Sequence, residues 1–143
     1  MLKVSQILAS KAKSAVYSVA PTQMVIEALE LMSARNIGAV MVLQNERLVG
    51  IFSERDYARK GILQDRKAKS TPVSEVMTAN VFTVSPDASI EECMQIMSER
   101  KFRHLPVLNG SEVVGLISVS DVVAAIIREQ QFRIESLEQY ISS

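Results

Sequence analysis

Two stretches of this sequence carry chemistry-bearing residues at matched spacing: Gly50-Ile51-Phe52-Ser53-Glu54-Arg55-Asp56 and Gly115-Leu116-Ile117-Ser118-Val119-Ser120-Asp121. Each closes an apolar run with a serine and places an aspartate three residues further on. Such a pattern caps a helix, because serine is a favoured N-cap and an acid three positions later accepts from the N-cap amide. It also suits a ligand. A helix N-terminus presents free N–H donors and a positive dipole to phosphate. The serine hydroxyl adds a bond, and the short carboxylate offers two acceptors to the paired hydroxyls of a ribose. Serine can start the helix while aspartate faces a cleft, so both uses stay open.

Other reactive side chains are few. The chain has one cysteine and one histidine, which leaves no His/Cys ligand set for a transition metal and no intrachain disulfide. Cys93 sits in the spacing Ile90–Cys93–Met94–Met97, an apolar helix face, and reads as a buried small hydrophobe. The seven methionines read mostly as helix-face core. His104 is either a packing histidine or, beside Arg103, a phosphate contact. No nucleophile elbow accompanies it, and the chain contains neither a Walker-type phosphate loop nor a Rossmann glycine fingerprint. A nucleotide hydrolase or transferase built on Asp56 or Asp121 therefore lacks its usual parts, including a carboxylate cluster for magnesium.

The elements that position these turns are duplicated. Shifting the sequence by 65 residues lays Val16–Asp56 on Val81–Asp121 without a gap, with 13 identities in 41 positions, Pro21/Pro86, Gly50/Gly115 and both Ser/Asp pairs among them. A second echo precedes each copy, Val4-Ser5-Gln6-Ile7-Leu8 resembling Val73-Ser74-Glu75-Val76-Met77. Each copy reads as strand, helix, strand, turn, strand, helix. The spacing predicts first strands at Ala15–Val19 and Val81–Val84, with Pro21 and Pro86 in the first turn of the helices that follow. Those helices carry Val25, Leu29, Met32 and Ile90, Met94, Met97 on one face and end near Arg35 and Arg100, where a cation suits the dipole. Strands are expected at Ala39–Leu43 and Leu48–Phe52, and at Leu105–Leu108 and Val113–Ile117, the second pair joined through Asn109-Gly110. The fold class is α/β (α+β), with copy one and its lead-in at 1–65 and copy two with an extended C-terminal helix at 66–143.

Neither copy can bury much core alone, so the two are expected to pack together. Val123, Ile127, Ile134, Leu137 and Ile141 follow an approximate heptad spacing that must cover the other repeat or a second chain, and a homodimer is expected. Net charge is zero but unevenly spread: residues 1–70 hold 11 Lys/Arg against 6 Asp/Glu, residues 71–143 hold 5 against 10. That balance disfavours generic nucleic-acid binding, while the basic run from Arg59 to Lys69 is a solvated face able to attract phosphate or an acidic partner. No apolar stretch approaches the roughly 20 residues of a membrane span. The first residues lack the apolar core of a secretory signal, so cytoplasmic residence is expected.

The whole pattern resembles a tandem CBS-domain pair, or Bateman module. The resemblance rests on Val76-Met77-Thr78, on Arg103-His104-Leu105-Pro106-Val107 and on both Gly-x-x-Ser-x-x-Asp ends, and it covers nearly the whole chain. It implies two βαββα units related by a pseudo-twofold axis, commonly dimerised into a disc. It also implies a cleft with two sites for adenosine-containing ligands such as AMP, ADP, ATP, NAD or S-adenosylmethionine, held as regulators without catalysis. Carried over position by position, one site would use Ser118 and Asp121 with Val16, Tyr17, Ile37 and His104. The other would use Ser53, Arg55 and Asp56 with Thr78, Val81, Phe82, Gly38, Ala39 and Arg103, and Pro106 belongs to the same implied ligand-binding set. Tyr17 and Phe82, at equivalent positions, would either flank adenine or, as strand aromatics more often do, join the core. Copy one departs from the pattern, with Gly38-Ala39 where copy two has Arg103-His104 and Met41 where it has Pro106, so the sites should differ in affinity or ligand. Besides an adenine-nucleotide sensor, the sequence leaves room for a protein- or RNA-interaction module with degenerate sites.

Overall fold

The computed structural model describes residues 2–11 and 16–142. A short helix α1 (Val4–Ser10) leads into strand β1 (Ser18–Val19), helix α2 (Val25–Arg35) and the hairpin β2 (Ala39–Gln44) and β3 (Arg47–Ser53). One α-helical turn, α3 (Glu54–Asp56), continues into a π turn at Tyr57–Gly61 and a 3₁₀ turn at Ile62–Gln64. The second copy supplies α4 (Ile90–Arg100), the hairpin β4 (His104–Asn109) and β5 (Glu112–Ser118), and the long helix α5 (Val119–Ser142).

The two copies match closely. In the first, β1 runs parallel to β2, which pairs antiparallel with β3. In the second, β4 pairs antiparallel with β5. Each hairpin shifts register at an equivalent place, between Val42 and Leu43 and between Val107 and Leu108, opposite Val49 and Val114. An extra residue there bends the strand and increases its twist. The parallel strand expected at Val81–Val84 is reduced to one bridge, Val84 to Val107, and of the strand expected at Ala15–Val19 only Ser18–Val19 forms, Ala15 lying outside the described residues.

Helix boundaries follow local chemistry. Glu27 accepts from the Met24 amide at 2.8 Å, and the Ser89 hydroxyl accepts from the Glu92 amide at 3.1 Å, so helix starts fall at Val25 and Ile90. Pro21 and Pro86 lie in turns ahead of these caps rather than in the first helical turn. Both helices end on a left-handed residue, Asn36 (φ 53°) and Lys101 (φ 60°), which stops the helix as expected at Arg35 and Arg100. The second hairpin turns one residue later than expected, because Asn109 pairs with Glu112 and leaves Gly110-Ser111 as the loop. Gly110 takes the positive φ of 66° that this turn needs at its first central position.

Two apolar cores result, and the lead-ins exchange between them. Val4 and Ile7 pack with Ile90, Leu105, Val107 and Ile117 of the second copy, while Val73 and Val76 pack with Val25, Val40, Val42 and Phe52 of the first. Glycine permits this crossover. A Cβ on Gly115 would meet Leu8 Cδ2 at 2.7 Å, and one on Gly50 would meet Met77 Sδ at 2.7 Å and the Thr78 carbonyl at 2.9 Å. Cys93 is fully buried on α4, as its spacing implies, and burial first and Glu92 second push its thiol up to about 11. Met32 and Met97 are helix-face core, but Met41 is a strand residue and Met77 packs over Gly50. The stripe on α5 finds no cover among the described residues: only Val122 and Ala125 of that helix are buried, and Ile127, Ile134, Leu137 and Ile141 are at least half exposed.

Candidate ligand cavities between the repeats

Both Ser-x-x-Asp turns are capping boxes. The Ser53 amide donates to Asp56 Oδ2 at 3.0 Å and the Asp56 amide to Ser53 Oγ at 3.1 Å. The Ser118 amide donates to Asp121 Oδ2 at 2.8 Å and the Asp121 amide to Ser118 Oγ at 3.2 Å. The first helical amide is satisfied across the hairpin, Glu54 N to the Gly38 carbonyl at 3.1 Å and Val119 N to the Arg103 carbonyl at 3.0 Å. Strand ends and helix starts are thus tied together, and residues 38–39 and 103–104 are held beside the two aspartates.

Capping uses one oxygen of each carboxylate. The second oxygen of Asp56 accepts from the Thr78 hydroxyl at 3.0 Å and lies 3.7 Å from Lys60 Nζ. Asp121 meets Lys11 Nζ through the capping oxygen, at 3.0 Å, and its Oδ1 has no hydrogen bond among the described residues. Burial raises the Asp121 carboxyl, but the Ser118 amide and the Lys11 ammonium outweigh it, so its pKa falls below the ordinary value.

Each aspartate borders a cavity completed by the other copy. The first, of about 620 Å³, joins Ser118 and Asp121 to Tyr17, Ile37, Gly38 and Ala39. The second, of about 480 Å³, joins Ser53, Arg55, Asp56 and Thr78 to Val81, Phe82 and Arg103. Both lie within the 300–1,000 Å³ typical of small-molecule sites. Gly38 and His104 border both cavities.

Three residues fall elsewhere than the resemblance implied. Val16 lines a separate groove with Leu43 and Leu48, while its neighbour Tyr17 faces the first cavity, as alternation along an extended segment requires. Ala39, assigned to the Asp56 site, borders the Asp121 cavity. Pro106 is buried opposite Leu116 in the β4–β5 ladder and borders neither cavity. Its counterpart Met41 does line the first.

Residues not singled out from sequence complete the walls. Lys11 bonds Asp121 and the Leu116 carbonyl (2.9 Å) in the first cavity, beside Asn36 and Ser120, and Lys101 and Phe102 line the second. The 65-residue shift pairs Asn36 with Lys101, Ile37 with Phe102 and Arg55 with Ser120, so carrying each site residue onto its counterpart, and one residue upstream of Ile37, would have found these four but not Lys11. Tyr17 and Phe82 each carry an arginine over the ring, Arg35 and Arg100, both at 5.2 Å. The arginines at the helix ends therefore stack on cavity aromatics as well as suiting the dipole.

His104 stands between the two aspartates. Burial holds its imidazole below the ordinary 6.5, Asp121 opposes this, and Lys11 and Arg103 reinforce it. That lowering favours the neutral ring over the imidazolium. Among the described residues no group of three or more His, Cys, Asp or Glu could hold a metal ion, and no helix is long and apolar enough to cross a membrane.

Two pseudo-equivalent α/β repeats thus enclose a pair of cavities. The CBS-domain family model matches residues 4–61 and 73–128, and the chain belongs to that family. It is similar to the mitochondrial CBS domain-containing protein CBSX3 of Arabidopsis thaliana, 36% identical over 146 residues, 96% of this chain and 71% of the relative. Among solved structures it is similar to a protein with CBS domains from Burkholderia ambifaria MC40-6, at a TM-score of 0.86 and 44% identity, covering 90% of this chain and 96% of that one. The fold is also that of the CBS domain pair of protein MJ0100, solved with 5′-methylthioadenosine and S-adenosyl-L-methionine, at a TM-score of 0.80 and 24% identity, covering 90% of this chain and 98% of the other.

Proposed function

We propose that this protein is a non-catalytic sensor that binds adenosine-containing ligands in the two cavities and reports their occupancy through the packing of its repeats. The observation that carries the reading is the symmetric placement of Asp56 and Asp121, each at a capped helix start and each bordering a cavity walled by the opposite copy. A carboxylate held in this way meets the paired hydroxyls of a ribose without further ordering of its side chain. Tyr17 and Phe82 offer stacking surfaces for adenine. Because each site draws on both copies, a ligand that fits one inter-repeat arrangement better than another shifts the equilibrium between them. The ligands of MJ0100, both adenosine derivatives, are of this chemical class. AMP, ADP, ATP, NAD and S-adenosylmethionine are the candidates. Calorimetry with each is the test: binding tighter than millimolar, lost in Asp56→Ala or Asp121→Ala, is expected, and no binding by any of them overturns the reading.

The uncovered stripe on α5 supports a second element, a homodimer. Phe132, Ile134, Leu137 and Ile141 are each more than half exposed along a helix that rises about 36 Å at 1.5 Å per residue. Sedimentation of the wild type against Leu137→Glu is expected to separate dimer from monomer. A target protein docking on the same stripe is the competing occupant, and a monomeric wild type would favour it over a second copy. The proposed compartment is the cytoplasm, to be tested by fractionation, since CBSX3 is named as mitochondrial.

A further inference from the structure

The two cavities are alike in shape and unlike in charge. Three cations border the Asp56 cavity: Arg55, Lys101 and Arg103. The 65-residue shift carries them onto Ser120, Asn36 and Gly38, which border the Asp121 cavity. Every one is replaced by a neutral residue. Among the described residues Lys11 is the cation that borders the Asp121 cavity; it is already bonded to Asp121 at 3.0 Å and to the Leu116 carbonyl at 2.9 Å, so that pair contributes no net charge. In the Asp56 cavity the acids are Glu54 and Asp56, and Lys60 stands 3.7 Å from Asp56.

We propose that the cavities take different ligands: an adenosine polyphosphate beside Arg55, Lys101 and Arg103, and an uncharged or zwitterionic adenosine derivative beside Lys11 and Asp121. The proposal rests on the sensor reading above and assigns a ligand class to each site. A polyphosphate brings several negative charges that must be matched on leaving water, and the three exposed side chains at the Asp56 cavity supply the match. In the other cavity, among the described residues, the same anion would meet one lysine, already paired with Asp121. An adenosine derivative without phosphate makes no such demand. One protein would then compare the level of an energy-carrying nucleotide with that of a nucleoside-type metabolite, each through its own pocket.

Calorimetry on the full-length protein with ATP in magnesium-free buffer, and separately with adenosine, tests the assignment. Arg55, Lys101 and Arg103 are exposed, so the triple change Arg55→Gln, Lys101→Gln, Arg103→Gln removes charge without opening the core. It is expected to weaken ATP by roughly 100-fold, at about tenfold or less per screened cation–phosphate bond, and to leave adenosine within about twofold. The converse pair, Asn36→Lys with Ser120→Arg, places cations at the neutral counterparts. Lys101 already shows that lysine accepts the left-handed φ, 60° against 53° at Asn36. That variant is expected to bind a second ATP. Two equal ATP sites in the wild type, or equal loss of ATP and adenosine in the triple variant, would overturn the assignment while leaving the sensor reading intact. If folded wild-type protein binds neither compound nor any other adenosine derivative, the sensor reading fails and the assignment fails with it.

Discussion

Replacing Asp121 by Asn separates its two duties, closing the helix cap and gripping a ligand. In the folded protein its Oδ2 receives the Ser118 amide at 2.8 Å and the Lys11 ammonium at 3.0 Å. The carboxamide oxygen of asparagine can still accept from the Ser118 amide, so what the change removes is chiefly the partly exposed ion pair with Lys11, worth at most about 1 kcal/mol. Asp121→Asn should therefore lower stability by at most about 1 kcal/mol at pH 7. Ser118→Ala removes the other half of the box and should cost about 1 kcal/mol. The pH dependence has a definite sign. The folded carboxyl lies below its ordinary value of 3.8, so the unfolded state binds the proton more readily. Its contribution is fully present above pH 3.8 and is lost as pH falls through the folded value. Urea denaturation at pH 7 and pH 4.5 should show the same gap between wild type and Asp121→Asn, and the gap should close in stronger acid. Ligand binding then distinguishes the duties. Ser118→Ala should retain adenosine affinity within about threefold, while Asp121→Asn, which turns an acceptor into a donor, should lose tenfold or more, the worth of one charge-assisted bond. Equal loss in both variants would mean that the carboxylate matters only as a cap.

Gly50→Ala should be more damaging than Gly115→Ala, because the new Cβ meets a backbone carbonyl (Thr78 O, 2.9 Å) at the former and the movable Leu8 side chain at the latter; urea unfolding should show a loss of about 1–3 kcal/mol against a smaller one. Cys93, fully buried with a thiol raised to about 11, should resist Ellman's reagent at pH 8 in the native protein and react on unfolding; rapid native labelling would contradict the packing of α4. The His104 ring should titrate below 6.5 by NMR, and because its folded pKa is lowered, His104→Gln should be less sensitive than wild type to falling pH below 6.5. A native value above 6.5 would place the ring in a more acidic and more open setting.

The hairpins and the helices α2 and α4 were legible because duplication wrote each pattern twice, and strand alternation and helical spacing are local signals. The crossed lead-ins were not. Val4-Ser5-Gln6-Ile7-Leu8 and Val73-Ser74-Glu75-Val76-Met77 are nearly interchangeable, and the equivalent glycines Gly50 and Gly115 leave room for either, so the sequence cannot say which core each enters. For the same reason Lys11, at the end of a lead-in, carried no sign that it would reach Asp121, 110 residues away. The turn at Gly110-Ser111 was misplaced because Asn109-Gly110 is the stronger dipeptide signal, yet the bulge at Val114 and the pairing of Asn109 with Glu112 fix the register. Of the ligand residues carried over from the resemblance, those at the helix starts and the strand edges reach the cavities. Val16 does not, since a one-residue step along an extended chain reverses the side a residue faces, and Pro106 is buried opposite Leu116 although its counterpart Met41 lines the first cavity.

A crystal structure of the protein grown with excess adenosine tests most directly whether Asp56 and Asp121 are ribose-binding groups. Ribose hydroxyls within about 3 Å of a carboxylate oxygen not used for capping, with the base against Tyr17 or Phe82, are the predicted result. Nucleoside bound elsewhere, with the carboxylates still engaged by Ser53, Thr78, Lys60, Ser118 and Lys11, would contradict it.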